Sequence, residues 1–342
     1  MGIKTLSRAV FAAAIAFATP ALADEPGYAR QFDQLLGTEA RVPATFQTAI
    51  HDSELDARIA RIANGSLGRI GVAAIDLSSG RMVSVLGDQR FPMASTSKVA
   101  IAATFLEGVE KGRWKLDSEF PLLLPRQSAP FSSAVAPVYE GQRFKAVDLI
   151  EMMITRSNNP ATDALLRVVG GPAKVNDWAR RNGISEFTIT RDIATLVRDD
   201  GERNPATQID TRDSATPRAM AQLLGALYQG KMLSASSRQV LLGAMSRTVT
   251  GKRRIPAMMP ADVRVSHKTG SLNNTSSDIG ILELPDGRAV AVAIYVTGQG
   301  SKPAREAKIA AIARALHDGF EAPPRDGRNW ANATYGGAQG SR

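Results

Sequence analysis

Phe91-Pro92-Met93-Ala94-Ser95-Thr96-Ser97-Lys98-Val99-Ala100 opens a run, to about residue 109, that is mostly apolar or small. The spacing predicts a helix over 96–109, with Ser95 at its mouth and Lys98 one turn on, beside it. A serine hydroxyl is a poor nucleophile until a neighbouring base takes its proton. A lysine three residues along can be that base, or can relay a proton, once burial and another cation lower its pKa. Backbone N–H groups at the helix start can hold a developing oxyanion. Alone, the same four residues also describe a capping serine followed by a solvated lysine. The rest of the chain has to decide.

The chain has 342 residues, 44% of them apolar and 22% charged, which is ample for a large globular core. Residues 1–23 read as a secretion signal. Lys4 and Arg8 precede the apolar run 9–19, which is too short to span a bilayer, and Ala21-Leu22-Ala23 offers a small-x-small cleavage site. The expected product is periplasmic, without stable membrane association. The absence of cysteine removes disulfides, thiol catalysis and thiolate metal sites. The three histidines, His51, His267 and His317, make no ligand pattern, so no metal or cofactor is expected. Net charge is +9, and removing the signal's two cations leaves +7. The basic residues are scattered and not interleaved with aromatics, which argues against nucleic acid as a partner.

Ile70–Leu77 and Met82–Leu86 read as strands joined at Ser78-Ser79-Gly80. Residues 121–142 hold four prolines and many serines and read as loop. Val147–Arg156, Ala161–Val169 and Ala173–Asn182 carry helical spacing. The polar, charged stretch 188–213 has no period, and connections that long are usually functional or disordered. Pro217 starts a helix at its first position, and another covers Ser237–Arg247. Val263–Thr269, Ser277–Leu284 and Ala289–Thr297 alternate as strands, before an amphipathic helix over Pro303–His317. The order predicts an α+β, two-lobed fold. A five-stranded antiparallel sheet (about 40–90 and 255–320) carries the terminal helices, an all-helical lobe (about 91–254) is inserted, and a ligand cleft lies between. The tail 321–342 is expected to be disordered.

Two further motifs accompany Ser95 and Lys98: Ser157-Asn158-Asn159 at a helix end and Lys268-Thr269-Gly270 on a strand. In order and spacing the trio resembles the class A serine β-lactamases and related penicillin-binding proteins, whose motifs are Ser-x-x-Lys, Ser-Asp-Asn and Lys-Thr-Gly. The resemblance covers roughly residues 45–318. It implies that Ser95 attacks a β-lactam carbonyl, with the N–H groups of Ser95 and Ser271 as the oxyanion site. Ser157 would pass a proton to the leaving nitrogen. Lys268 would hold that hydroxyl and attract the substrate carboxylate, aided by Thr269, Gly270 and Ser271 along the strand. Asn159 fits the substrate's side-chain amide. Asn158 stands where aspartate is usual, and its role is expected to be mainly structural.

The resemblance also implies a hydrolytic base in the polar stretch, within Arg-x-Glu-x-x-Leu-Asn. The matching run is taken as Arg198-Asp199-Asp200-Gly201-Glu202-Arg203-Asn204. Arg198 and Asp213 then form the ion pair that closes the loop, and Asn204 helps place the water. Asp200, one methylene shorter than glutamate, is the base, with Glu202 as its rival. Arg254 is expected to fork the substrate carboxylate. The implied activity is β-lactam hydrolysis through a Ser95 acyl-enzyme, with deacylation slowed by the shortened base and the protein a monomer. The alternatives are a D-alanyl-D-alanine carboxypeptidase, or a module that binds β-lactams or cell-wall fragments without turnover.

Overall fold

The computed structural model of the protein describes residues 50–51, 53–65 and 67–321. The proposed signal sequence, the tail and residues 42–49, which the sequence reads as the start of a first helix over roughly 42–64, lie outside them.

The central sheet runs in the order β1-β3-β2-β11-β10-β9, formed by β1 (Ile50–His51), β2 (Ile70–Asp76), β3 (Arg81–Val85), β9 (Arg264–Leu272), β10 (Thr275–Glu283) and β11 (Ala289–Thr297). The five long strands are antiparallel, and two-residue β1 adds a parallel edge. β11, AVAVAIYVT, is buried at all nine positions. Continuous apolar sequence of this kind belongs to a strand covered on both faces.

On one face lie helices α1 (Ser53–Ile62) and α9 (Lys302–Glu321). Their side chains Leu55, Ile59, Ile312 and Phe320 pack with Val72, Val292 and Ile294. The other face looks onto the helical lobe, where Phe91, Phe105, Trp178, Leu224 and Tyr295 share one core. That lobe comprises α2 (Lys98–Glu110), α3 (Ala146–Thr155), α4 (Asn159–Val169), α5 (Pro172–Arg181), α6 (Ile193–Arg198), α7 (Pro217–Tyr228) and α8 (Ala235–Ser246).

Residues 121–142 are not simply loop. They form most of a hairpin of β5 (Glu119–Pro125) and β6 (Val138–Lys145), leaving 126–137 as its connection. Pro121, Pro125 and Pro137 hid it, yet a two-stranded ribbon has free edges where a missing N–H is tolerated. Two short ribbon strands, β7 (Phe187–Thr188) and β8 (Ser214–Ala215), pair with each other, and β8 also pairs with β4 (Phe91–Pro92). The polar stretch 189–213 is thereby pinned at both ends next to the nucleophile's segment.

Candidate active site

Ser95 lies on a single 3-10 turn, Ala94–Ser97, that runs directly into α2. Ala94 is held at φ 48°, a left-handed conformation that a residue with a Cβ enters at a cost of roughly 1–3 kcal/mol. The turn is fastened by Thr96, whose hydroxyl donates to Met93 O at 2.8 Å and meets the buried Tyr295 hydroxyl at 3.1 Å. Ser95 itself is half-buried, and its hydroxyl makes no hydrogen bond among the described residues.

The second motif reaches the site through a helix start. Asn158 caps α4, its Oδ1 accepting Ala161 N–H at 2.8 Å, with Pro160 in the first turn. The residue before the cap, Ser157, takes φ 57°, which turns its side chain toward Lys98.

Both lysines are fully buried and converge on that serine. Lys98 Nζ donates to Ser157 O (2.8 Å), Ser157 Oγ (3.2 Å) and Asn159 Oδ1 (2.7 Å). Lys268 Nζ donates to Ser157 Oγ at 3.0 Å and to Thr269 O at 2.8 Å. Burial lowers the Lys98 ammonium pKa to about 7, with the Asp163 carboxylate pulling the other way. Burial, and then the charge on Lys98, push Lys268 well below its ordinary range. A poised amine, a shuttling hydroxyl and a second ammonium are thus assembled within reach of one another.

Strand β9 lies directly on the nucleophile's turn. A Cβ on Gly270 would sit 2.5 Å from Ser277 Oγ and 2.7 Å from Met93 O. Only glycine lets the two backbones approach this closely. Thr269 Oγ1 bonds Thr250 Oγ1 at 2.7 Å, and the Ser271 hydroxyl accepts from Arg254 at 2.7 Å.

Arg254 differs from its expected place. It is buried, and its five N–H donors are all taken: Nη1 by Gly270 O and Ser277 O (2.8 Å each), Nη2 by Ser271 Oγ and Glu306, and Nε by Glu306. No donor remains to fork a substrate carboxylate. Arg254 instead ties β9, β10 and α9 together behind the cleft and orients Ser271.

The polar stretch also departs from the reading above. Asp213 pairs with Arg191, Nε to Oδ2 at 2.7 Å, while its Oδ1 accepts the N–H groups of Thr190 and Arg191. Arg198 bonds neighbouring Asp199 and reaches Ser133 across the cleft rim. Asp200 is exposed, its Oδ2 accepting Asn273 N–H at 2.7 Å. Asn204 is exposed too, accepting from Ala206 N and Asn274 Nδ2. Glu202 pairs with Arg212. None of these three side chains bonds Ser95, Lys98 or Ser157 among the described residues.

The carboxylate that acts on Lys98 is Asp163, one helical turn after Asn159 on α4, whereas Lys268 feels that of Asp278. Asp163 is buried, and Oδ1 and Oδ2 accept the N–H groups of Ile193 (2.7 Å) and Ala194 (2.9 Å) at the start of α6. Burial raises its pKa to about 7. Its i,i+4 relation to Asn159 was the available sequence signal.

Residues 54–320 match the family model of the β-lactamase enzyme family. The chain belongs to that family. It is 29% identical to the extended-spectrum β-lactamase PER-1 of Pseudomonas aeruginosa over 80% of this chain and 90% of that one. A crystal structure of a β-lactamase from Chitinophaga pinensis superposes with TM-score 0.68 at 30% identity, covering 78% of this chain and 99% of the other. The solved structure of PBP-A superposes with TM-score 0.68 at 26% identity, covering 81% and 99%. Within the β-lactamase family's loop pattern, the Arg191–Asp213 pair resets the alignment. Arg-x-Glu-x-x-Leu-Asn then falls on Arg191-Asp192-Ile193-Ala194-Thr195-Leu196-Val197, with the arginine and leucine kept. In that register, buried Ile193 would stand at the glutamate position and Val197 at that of the asparagine. The extra residues then follow the run, whereas the match to Arg198–Asn204 puts them before it.

Proposed function

We propose that this chain is an exported serine hydrolase that β-lactams acylate at Ser95 and that releases the acyl group slowly. The observation that carries the first half is the convergence of Lys98 and Lys268 on Ser157 Oγ beside the Ser95 turn. Neutral Lys98 takes the Ser95 proton as Oγ bonds the lactam carbonyl carbon. The oxyanion is held between the N–H groups of Ser95 and Ser271. The C–N bond then breaks, and Ser157 gives its proton to the departing nitrogen, replenished from the lysine pair. Lys268, Thr269 and the Ser271 hydroxyl meet the substrate carboxylate, with Arg254 acting through Ser271. Asn159 holds the side-chain amide.

Deacylation needs a base for water, and this supports the second half. Ile193 cannot accept a proton, and Asp200 bonds Asn273 on an exposed part of the loop. Loss of general base catalysis typically costs about 10²–10⁴-fold. Intact-mass spectrometry of the protein mixed with benzylpenicillin tests both halves. The expected result is a stoichiometric adduct on Ser95 that persists for minutes or longer. No adduct overturns the acylation, and an adduct gone within a second overturns the slow release.

Ile193 at the base position also favours a second reading, a D-alanyl-D-alanine carboxypeptidase, in which the natural acyl donor is a peptide. Release of D-alanine from a pentapeptide muropeptide, without net lactam hydrolysis, would establish it.

A further inference from the structure

Gly71 on β2, Tyr295 on β11, Ser277 on β10 and Gly270 on β9 are successive partners across the sheet, so their Cβ positions line up on one face. The nucleophile's segment lies along this row. A Cβ on Gly71 would sit 2.3 Å from the Phe91 ring, and one on Gly270 would sit 2.7 Å from Met93 O. The segment is thus pressed onto bare backbone at both ends of the row. Between the glycines stand two side chains. Tyr295 is buried, and its ring stacks on Phe91 with centroids 5.9 Å apart. Ser277 Oγ, also buried, has no hydrogen-bond partner among the described residues. Among those residues, the row's side-chain hydrogen bond to the turn is therefore that of the Tyr295 hydroxyl, 3.1 Å from Thr96 Oγ1.

The protons in this chain have one arrangement. A threonine hydroxyl has a single hydrogen, and Thr96 gives it to Met93 O at 2.8 Å, so the phenol donates to Thr96 Oγ1. Burial pushes the Tyr295 pKa above its ordinary range, and the phenol keeps that proton. Met93 O also accepts Thr96 N–H at 3.0 Å, and it is the carbonyl that abuts Gly270. Ala94, between that carbonyl and Ser95, is held at φ 48°. The height of the Met93 carbonyl over β9 therefore governs how the Ser95 N–H sits against the Ser271 N–H. We propose that Tyr295 is a positioning residue for acylation: through Thr96 it holds the Met93 carbonyl against β9 and so sets the gap between the two oxyanion donors. This deepens the acylation reading and rests on it. Tyr295 has no exposed surface, so it meets no substrate and acts only through the turn.

The test is the saturation kinetics of Ser95 acylation by benzylpenicillin, read by mass spectrometry as a limiting rate and a half-saturating concentration. Tyr295→Phe removes one oxygen and leaves the ring in place. A full ångström of misplacement can cost about 10²-fold, and loss of this one tie should lower the limiting rate about 10-fold. The half-saturating concentration should stay within about two-fold of wild type. The pH midpoint of the rate should not move, since Lys98 is untouched. Thr96→Val should cost at least as much, and Thr96→Ser should recover most of that loss. Tyr295→Phe should add nothing in the Thr96→Val background, because the phenol acts through that hydroxyl. The proposal is overturned if folded Tyr295→Phe keeps a limiting rate within about two-fold of wild type, or loses affinity by as much as it loses rate. A shifted pH midpoint, or additive losses in the double variant, overturns it too. Circular dichroism checks folding, and if Tyr295→Phe does not fold, the Thr96→Val and Thr96→Ser pair decides. No adduct in the wild type overturns the acylation reading itself.

Discussion

Arg191 Nε and Asp213 Oδ2 lie 2.7 Å apart and close the loop 191–213. Both side chains are largely buried, and the Asp213 carboxylate accepts two further backbone N–H groups, so the pair anchors the stretch where it leaves and rejoins the helical lobe. It places Ile193 two residues inside the loop, against Asp163, and leaves residues 200–204 exposed.

Ile193→Glu should therefore restore a proton acceptor near Lys98 and Asn159. The adduct with benzylpenicillin is expected to decay at least ~10-fold faster than in the wild type. Asp200→Ala should leave the lifetime within about two-fold, since its carboxylate serves only the Asn273 N–H. A lengthened lifetime in Asp200→Ala would return that residue to the mechanism.

Acylation should depend on pH through Lys98. Its ammonium pKa is lowered to about 7, so the neutral amine required to accept the Ser95 proton accumulates as pH rises through that value. The acylation rate is expected to climb nearly ten-fold per unit below pH 7 and to level off above about 8. The nearby carboxylate of Asp163 raises the Lys98 pKa, so Asp163→Asn should move the midpoint to lower pH. A midpoint that moves upward would contradict the assignment.

Gly270→Ala should abolish acylation while the protein still folds. The added methyl has to displace either Ser277 Oγ or the Met93 carbonyl, and the carbonyl belongs to the nucleophile's turn. Misplacement of about 1 Å can cost on the order of 10²-fold in rate. An acylation rate within a few-fold of wild type would mean that strand and turn are not as tightly matched as their spacing indicates.

Arg254→Ala should destabilise the protein by about 3 kcal/mol in urea unfolding, because it leaves buried Glu306 facing only exposed Arg253. Acylation should weaken as well, since Ser271 loses the donor that orients it. Replacing Arg254 and Glu306 together with apolar residues is expected to recover stability but not acylation. Recovery of both would reduce Arg254 to a scaffold residue.

The three short motifs made the catalytic cluster legible in the sequence, because each marks a backbone need as well as a chemistry. Ser157-Asn158-Asn159 ends one helix and caps the next, and Lys268-Thr269-Gly270 demands a strand that tolerates contact at its glycine. The sheet was legible from alternation and from the uninterrupted apolar run of β11. The polar loop was not. Arg191 and Arg198 are both followed by aspartate, and local spacing alone favoured the one nearer Asp213. The partner was chosen by a tertiary contact that no periodicity reports. Arg254 was placed in the right region with the wrong role, because a sequence cannot show that all of its donors are already engaged. Hairpin β5–β6 was lost to its prolines.

The absence of any gap between Gly270 and the Met93 carbonyl ties reactivity to the completion of folding. Ser95 belongs to an early part of the chain, while the strand that finishes its surroundings comes near the end. A nascent or partly unfolded molecule would carry the hydroxyl without the electrophile's binding edge, and so would stay inert toward acylating agents until the last strands dock.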